Sequence, residues 1–201
     1  MKALLLCGSP RAHGCTYTAL CEVEKTLQAS QIETEILQLG TAPVQGCIAC
    51  GRCMTLGHCV FDDAVNKIAA RLDEFDALIV GSPVYYAGPN GALLCLLDRL
   101  FFSAGAKMPG KVAAAVVSCR RGGASAAYDV LNKYFGMSNM IIATSQYWNQ
   151  VHGATPEDVL RDEEGLQTMR TLGQNVAWLL RMRKDQPLPA YEEKIRTNFI
   201  R

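Results

Sequence analysis

Between Leu4 and Thr18 the chain reads Leu-Leu-Leu-Cys-Gly-Ser-Pro-Arg-Ala-His-Gly-Cys-Thr-Tyr-Thr, an apolar run that breaks into small, hydroxylated and cationic residues. Ser9, Thr16 and Thr18 can each donate a hydroxyl hydrogen bond, and Arg11 a charge-assisted one. A helix entered near Thr16 adds free backbone N–H groups and the positive end of its dipole at the same point. Such a collection suits a phosphate group; the plainer reading is a strand-to-helix turn rich in small residues. No Lys-Ser/Thr pair follows the second glycine, which excludes a Walker-type nucleotide loop. The Gly-x-Gly-x-x-Gly spacing of a tight dinucleotide fold is absent too. A monophosphate such as that of FMN therefore suits the loop better than ATP or permanently bound NAD.

A second group of reactive residues is Cys47, Cys50, Cys53 and Cys59, spaced C-x2-C-x2-C-x5-C. Three thiolates at steps of three on a glycine-punctuated loop can converge on one small cluster, much as in the start of a bacterial ferredoxin run. The fourth spacing differs from that run, and Val60 follows where a proline would stand. Structural zinc more often takes two separated C-x2-C knuckles, or Cys with His; His58 beside Cys59 keeps zinc among the alternatives. A loop of free thiols without metal is the third. Cys7, Cys21, Cys95 and Cys119 stand in apolar contexts and are expected to pack as small hydrophobes. Cys15 falls at a helix N-terminus, where a thiol pKa can drop.

The elements that must position these groups are legible as apolar runs alternating with helical patterns. Strands are expected at Lys2–Leu6, Thr34–Leu39, Ala77–Gly81, Lys111–Ser118 and Met140–Thr144. Helices are expected near Thr16–Ala29, Asp62–Leu72, Asn90–Phe102, Ala124–Phe135 and from about Asp162 to Arg183. The third and fourth strands are apolar without alternation, as strands covered on both faces are. The pattern predicts an α/β fold: a doubly wound, five-stranded parallel sheet of flavodoxin-like order 2-1-3-4-5 in three α/β/α layers. Residues 1–185 would form the ligand-binding domain, with residues 40–61 as a long cysteine-rich loop. Residues 186–201, set off by Gln186-Pro-Leu-Pro189, would form a tail.

In an open parallel sheet, ligands sit beyond the carboxyl ends of the strands, where the strand order reverses. The walls of a site should then be the first loop, Gly81–Asn90 after strand three, Ser118–Gly123 after strand four and Tyr147–Gly153 after strand five. Aromatic, glycine-rich and cationic residues gather there: Tyr85 and Tyr86 offer faces or hydroxyls, and Arg120 or Arg121 could offset negative charge on a reduced flavin. Either tyrosine alone could simply cap the core. Together the four loops point to a flat ring system with polar rims.

Gly8-Ser-Pro-Arg11 with Gly14 and Thr16, and Gly81-Ser-Pro-Val-Tyr-Tyr86 with Leu97-Asp-Arg99, resemble the NADPH-dependent FMN reductase family of flavodoxin-like proteins. Cys47-Ile-Ala-Cys-Gly-Arg-Cys53, with Cys59 and Asp62-Asp63, is similar to its iron–sulfur flavoprotein branch. The resemblance covers about residues 1–153 and implies a tightly bound FMN. Its phosphate would lie among Ser9, Arg11, Cys15, Thr16 and Thr18. Its ring would lie against Pro83, Val84, Tyr85, Tyr86 and Ala87 and against Ser118, Arg120, Arg121, Gly122 and Gly123. Cys15 stands where the family pattern often has Asn. The resemblance further implies that all four loop cysteines ligate one 4Fe–4S cluster, and that the chain forms a homodimer or homotetramer.

A formal net charge of +1 gives no electrostatic argument for nucleic acid or an anionic membrane. The apolar stretch after Met1-Lys2 is too short for a secretory signal, and nine cysteines without one point to a reducing cytoplasm. The expected activity is an FMN-dependent oxidoreductase. A nicotinamide, NADH or NADPH, would pass electrons through the flavin to a quinone, a nitro- or azo-aromatic, free flavin or an iron–sulfur partner. The flavin supplies the chemistry, so no catalytic acid or base is named. Tyr86, Arg121 and His152 are the residues expected to handle substrate. The alternative is an electron carrier linking a ferredoxin to another redox protein. A flavin- or metal-binding regulator without turnover is a more distant third.

Overall fold

The computed structural model describes residues 1–193, 195–197 and 199. The apolar runs fold as parallel strands: β1 (Lys2–Cys7), β2 (Glu33–Gln38), β3 (Ala77–Tyr85) and β5 (Val112–Cys119). They lie in the order β2-β1-β3-β5, with Ala3 opposite Thr34 on one side and Ala77 on the other. All eight residues of β5 are buried, as its unbroken apolar composition requires of a central strand.

Alternate residues of each strand feed two cores. Leu4, Leu6, Leu78, Val80, Ala113 and Ala115 pack with α3 (Ala64–Arg71), α4 (Gly91–Ser103) and α5 (Ala124–Met137). Leu5, Ile79, Ala114 and Val116 pack on the opposite face with α1 (Cys15–Ala29) and α7 (Glu163–Arg183). The fold is the expected flavodoxin-like three-layer α/β/α sandwich. Side-chain caps mark where several helices begin. Asp63 accepts from the Val65 N–H and Asn90 from the Leu93 N–H.

The edge opposite β2 departs from the expectation of one strand at Met140–Thr144. It is split into β6 (Ile141–Ile142), paired with Val112–Ala113, and β7 (Gln150–His152), paired with Val117–Cys119. The Ala143 N–H donates to Ala113 O, and the Val117 N–H donates to Asn149 O. Between these anchors β5 runs through residues 114–116 and its partner through 144–148, so the partner has surplus chain and loops out. A two-residue antiparallel strand, β4 (Gly88–Pro89), folds back on Val84–Tyr85 and completes a seven-stranded sheet. Two short helices were not expected: α2 (Cys53–Leu56) within the cysteine loop and α6 (Pro156–Arg161) before α7. No helix among the described residues is long and apolar enough to cross a membrane.

The sheet closes tightly at the carboxyl ends of β1 and β3. The Gly8 N–H donates to Gly81 O at 2.8 Å. A Cβ on Gly81 would stand 2.8 Å from Leu20 Cδ1 and 2.9 Å from Thr16 Cγ2. Gly81→Ala should therefore overpack the interface of β3 with α1. A urea melt is expected to show a loss of about 1–3 kcal/mol.

Candidate functional site

The loop from Gly8 to Gly14 leaves β1 over the first turn of α4. A Cβ at Gly8 would meet Leu93 Cδ2 at 2.5 Å, so only glycine lets the chain pass there. Ser9 Oγ then accepts the Arg11 N–H at 3.2 Å, which tightens the turn. From the end of β2, Gln38 Nε2 donates to the carbonyls of Ser9 and Arg11. Both bonds tie the loop to the end of β2. Gly14 is the N-cap of α1 and supplies no side-chain cap. By the helical i to i−4 pattern, the N–H groups of Cys15, Thr16 and Tyr17 have no carbonyl of their own helix to serve.

Across the sheet, Thr16 Oγ1 and Ser118 Oγ are 2.7 Å apart and buried, joining the start of α1 to the end of β5. One hydroxyl proton closes that bond, and the other remains free for a ligand. Ser9, 4% exposed, and Thr16, 1% exposed, are both buried.

These groups border a cleft of about 290 Å³. It brings together Ser9, Arg11, Cys15 and Thr16 from the first loop, Pro83, Val84 and Tyr85 from the end of β3, and Ser118 and Arg120 from the end of β5. Cys119 and Gly153, from the walls expected after the fourth and fifth strands, line it as well, and so does Ala154, which was not anticipated. The Cys15 Sγ–H lies 3.6 Å from Gly153 O, which ties the first loop to the β7 end. Burial pushes the Cys15 thiol above its ordinary pKa despite its place at a helix N-terminus. Burial does the same to Cys119.

Other expected residues stand at or beyond the rim. Thr18 Oγ1 donates to Gly14 O at 3.2 Å, within α1, and does not line the cleft. Tyr86 and Ala87, with φ of 50° and 60°, form the left-handed turn between β3 and β4, and the Tyr86 ring is fully exposed. Two side-chain-bearing residues in this region store strain of the kind found at ligand contacts. Gly123, with φ of 88°, fits against this turn: a Cβ there would stand 2.8 Å from Ala87 Cα. Arg121 and Gly122 extend from the neighbouring loop without lining the cleft. His152 lines a separate hollow of about 210 Å³ with Tyr147 and Asp162. Its N–H donates to Asp162 Oδ2 at 2.6 Å, and its ring Nδ1 lies 3.8 Å from the same oxygen.

The four loop cysteines line one small cavity of about 20 Å³ whose walls include Ile48, Val60, Phe61 and Phe102. None of the nine cysteines is in a disulfide. Among the described residues no three His, Cys, Asp or Glu side chains converge closely enough to hold a single metal ion. Four cysteines on one hollow are a donor set whose chemistry suits a 4Fe–4S cluster, which thiolates hold.

An anion-receptive helix start at the switch point of a flavodoxin-like sheet, facing a ring-sized cleft, defines a flavin-binding class of protein. The model of the NADPH-dependent FMN reductase family matches residues 1–155, and the chain belongs to that family. An iron–sulfur flavoprotein of Methanocaldococcus jannaschii is 33% identical over 194 residues, spanning 92% of this chain and all of that protein. RosB with bound 8-demethyl-8-formylriboflavin-5′-phosphate shares the fold with a TM-score of 0.71 at 15% identity, over 100% of this chain and 92% of that one. The flavodoxin, WrbA-like protein from Agrobacterium tumefaciens does so with a TM-score of 0.63 at 19% identity, over 91% and 99%.

Gln38 is the supporting residue that strand patterning could not reveal. Gln38→Leu leaves the Ser9 and Arg11 carbonyls without their donor. The variant is expected to lose about 1 kcal/mol of stability. Hydrogen exchange across residues 8–14 should rise before that of β1 does.

Proposed function

We propose that the protein is an FMN-dependent NAD(P)H oxidoreductase whose flavin sits in the 290 Å³ cleft. The observation that carries this reading is the convergence of Ser9, Arg11, Thr16 and Ser118 with the unpartnered N–H groups of α1. All are donors, and the residues present fit a phosphate. Pro83, Val84 and Tyr85 offer the apolar wall for a ring, and Arg120 the cation beside it. When bound, FMN supplies the electron-transfer chemistry between a nicotinamide and a small acceptor such as a quinone, a nitro- or azo-aromatic or free flavin.

The chain's own part is to bind, orient and screen. The α1 dipole and Arg11 offset the phosphate charge. Arg120, on the ring side, favours added negative charge there. Tyr86 and Arg121, exposed at the rim, and His152 in the neighbouring hollow are placed to meet an incoming substrate rather than the resident flavin. Nine cysteines in one chain support a reducing cytoplasm as its setting.

A second reading is favoured by the cysteines: an electron carrier in which a 4Fe–4S cluster on Cys47, Cys50, Cys53 and Cys59 exchanges electrons with a ferredoxin-type partner. Four cysteines lining one cavity support it, as does the name of the M. jannaschii relative. Residues 1–185 would be the flavin domain and residues 186–201 an arm for homodimer or homotetramer formation.

Anaerobic purification with iron, sulfide and flavin assays separates the readings. Rapid NAD(P)H oxidation by iron-free protein favours the reductase, and a filled cluster with slow NAD(P)H oxidation favours the carrier. In the flavin site itself, the double variant Ser9→Ala/Thr16→Ala should weaken FMN binding by roughly tenfold or more, since two donors to a charged group vanish. Fluorescence titration measures it, and unchanged affinity would refute the loop assignment.

A further inference from the structure

Arg99, in α4, is the only charged residue among the described residues that is buried in the core, at 2% exposure. A guanidinium in that position is tolerable only if its donors are met. Its five N–H groups meet five acceptors. Nη1 donates to Asp63 Oδ2 at 2.6 Å and Gln45 O at 3.1 Å. Nη2 donates to Asp63 Oδ1 at 3.0 Å and Phe61 O at 3.2 Å. Nε points at Cys59 Sγ, 3.2 Å away. Every acceptor belongs to residues 45–63, the segment that carries the four cysteines. The Phe61 ring lies 4.9 Å from the guanidinium carbon and covers it.

Cys59 is held a second time, from α3. Asn66 Oδ1 accepts the Cys59 N–H at 3.0 Å, and Asn66 Nδ2 donates to Cys59 O at 2.9 Å. Cys47 and Cys50, by contrast, are exposed. One cysteine of the four is thus fixed in backbone and sulfur before any metal arrives.

We propose that Arg99 is the positioning residue of the cysteine loop: it fixes Cys59 as the anchor ligand and, by donating to that sulfur, raises the reduction potential of a cluster bound there. The redox half rests on the cluster reading above; the clamping half does not. Reduction adds negative charge to the cluster and its thiolates, and an N–H donor with a positive charge favours the reduced form. The Asp63 carboxylate offsets part of that charge. Removing the arginine and removing the carboxylate must then move the potential in opposite directions, which general loosening of the loop would not do.

The test uses Arg99→Gln and Asp63→Asn in the full chain. Asparagine serves as well as aspartate in capping α3 and still accepts from Arg99. In iron-free protein, hydrogen exchange over residues 45–61 should quicken at least tenfold in Arg99→Gln while β1 and β5 keep their protection. After anaerobic loading with iron and sulfide, a redox titration followed by electron paramagnetic resonance should show the Arg99→Gln cluster harder to reduce. A tenfold shift in the redox equilibrium, about 59 mV for one electron, is the expected scale. Asp63→Asn should shift upward. Unchanged exchange in Arg99→Gln, or potentials that move the same way in both variants, would overturn the proposal. If Arg99→Gln does not fold, Asp63→Asn decides: an upward shift supports the proposal, and a downward or absent shift refutes it. If wild-type protein takes up no cluster, the cluster reading fails. The clamp is then judged by exchange alone, supported by faster exchange in Arg99→Gln and refuted by equal protection.

Discussion

The close contact of β1 and β3 at their carboxyl ends is the constraint from which the rest of the site follows. Gly8 and Gly81 bond backbone to backbone where neither has space for a side chain, with Leu93 pressing from α4 and Leu20 and Thr16 from α1. That contact draws the start of α1 down onto the sheet. Thr16 can then reach across to Ser118 on β5, and the donors of three segments face one cleft. A larger residue at Gly81 would press on Leu20 and Thr16 and lift α1, and one at Gly8 would press on Leu93 and displace α4. The packing of apolar strands, an interaction without direction, is thereby converted into a directed set of hydrogen-bond donors.

The helix α4 links the two candidate sites. Leu93, in its first turn, packs under Gly8 of the flavin loop, and Arg99, six residues on, holds the cysteine loop. At 1.5 Å per residue these points lie about 9 Å apart along the axis. The same element therefore sets the position of both loops, with Asn90 capping its start and the guanidinium filling its buried face. Ser9, Thr16 and Ser118 at the first site and Arg99 at the second are buried polar groups in an otherwise largely apolar interior.

Much of this was legible in the residues themselves. Unbroken apolar runs located β1, β3 and β5, and the turn chemistry of Gly8-Ser9-Pro10 located the cleft. Legibility ended where local pattern and tertiary demand part company. The fifth strand divides because its partner segment is longer than the stretch of β5 it must match, a mismatch invisible without register. Thr18 falls on the first turn of α1, where its hydroxyl finds a backbone carbonyl sooner than a ligand. Gln38 and Arg99 act through long-range bonds that no spacing rule encodes. The helix α6 was readable: Thr155-Pro156-Glu157-Asp158 is a capping box with proline in the first turn, and the structure forms it.

The most direct test compares FMN with riboflavin, which has the same ring and no phosphate, in equilibrium binding to the flavin-free protein. If the donors around Ser9, Arg11 and Thr16 hold the phosphate, FMN should bind at least about 100-fold more tightly, since several charge-assisted bonds depend on that group. Equal affinity for the two, or binding of neither, would contradict the account.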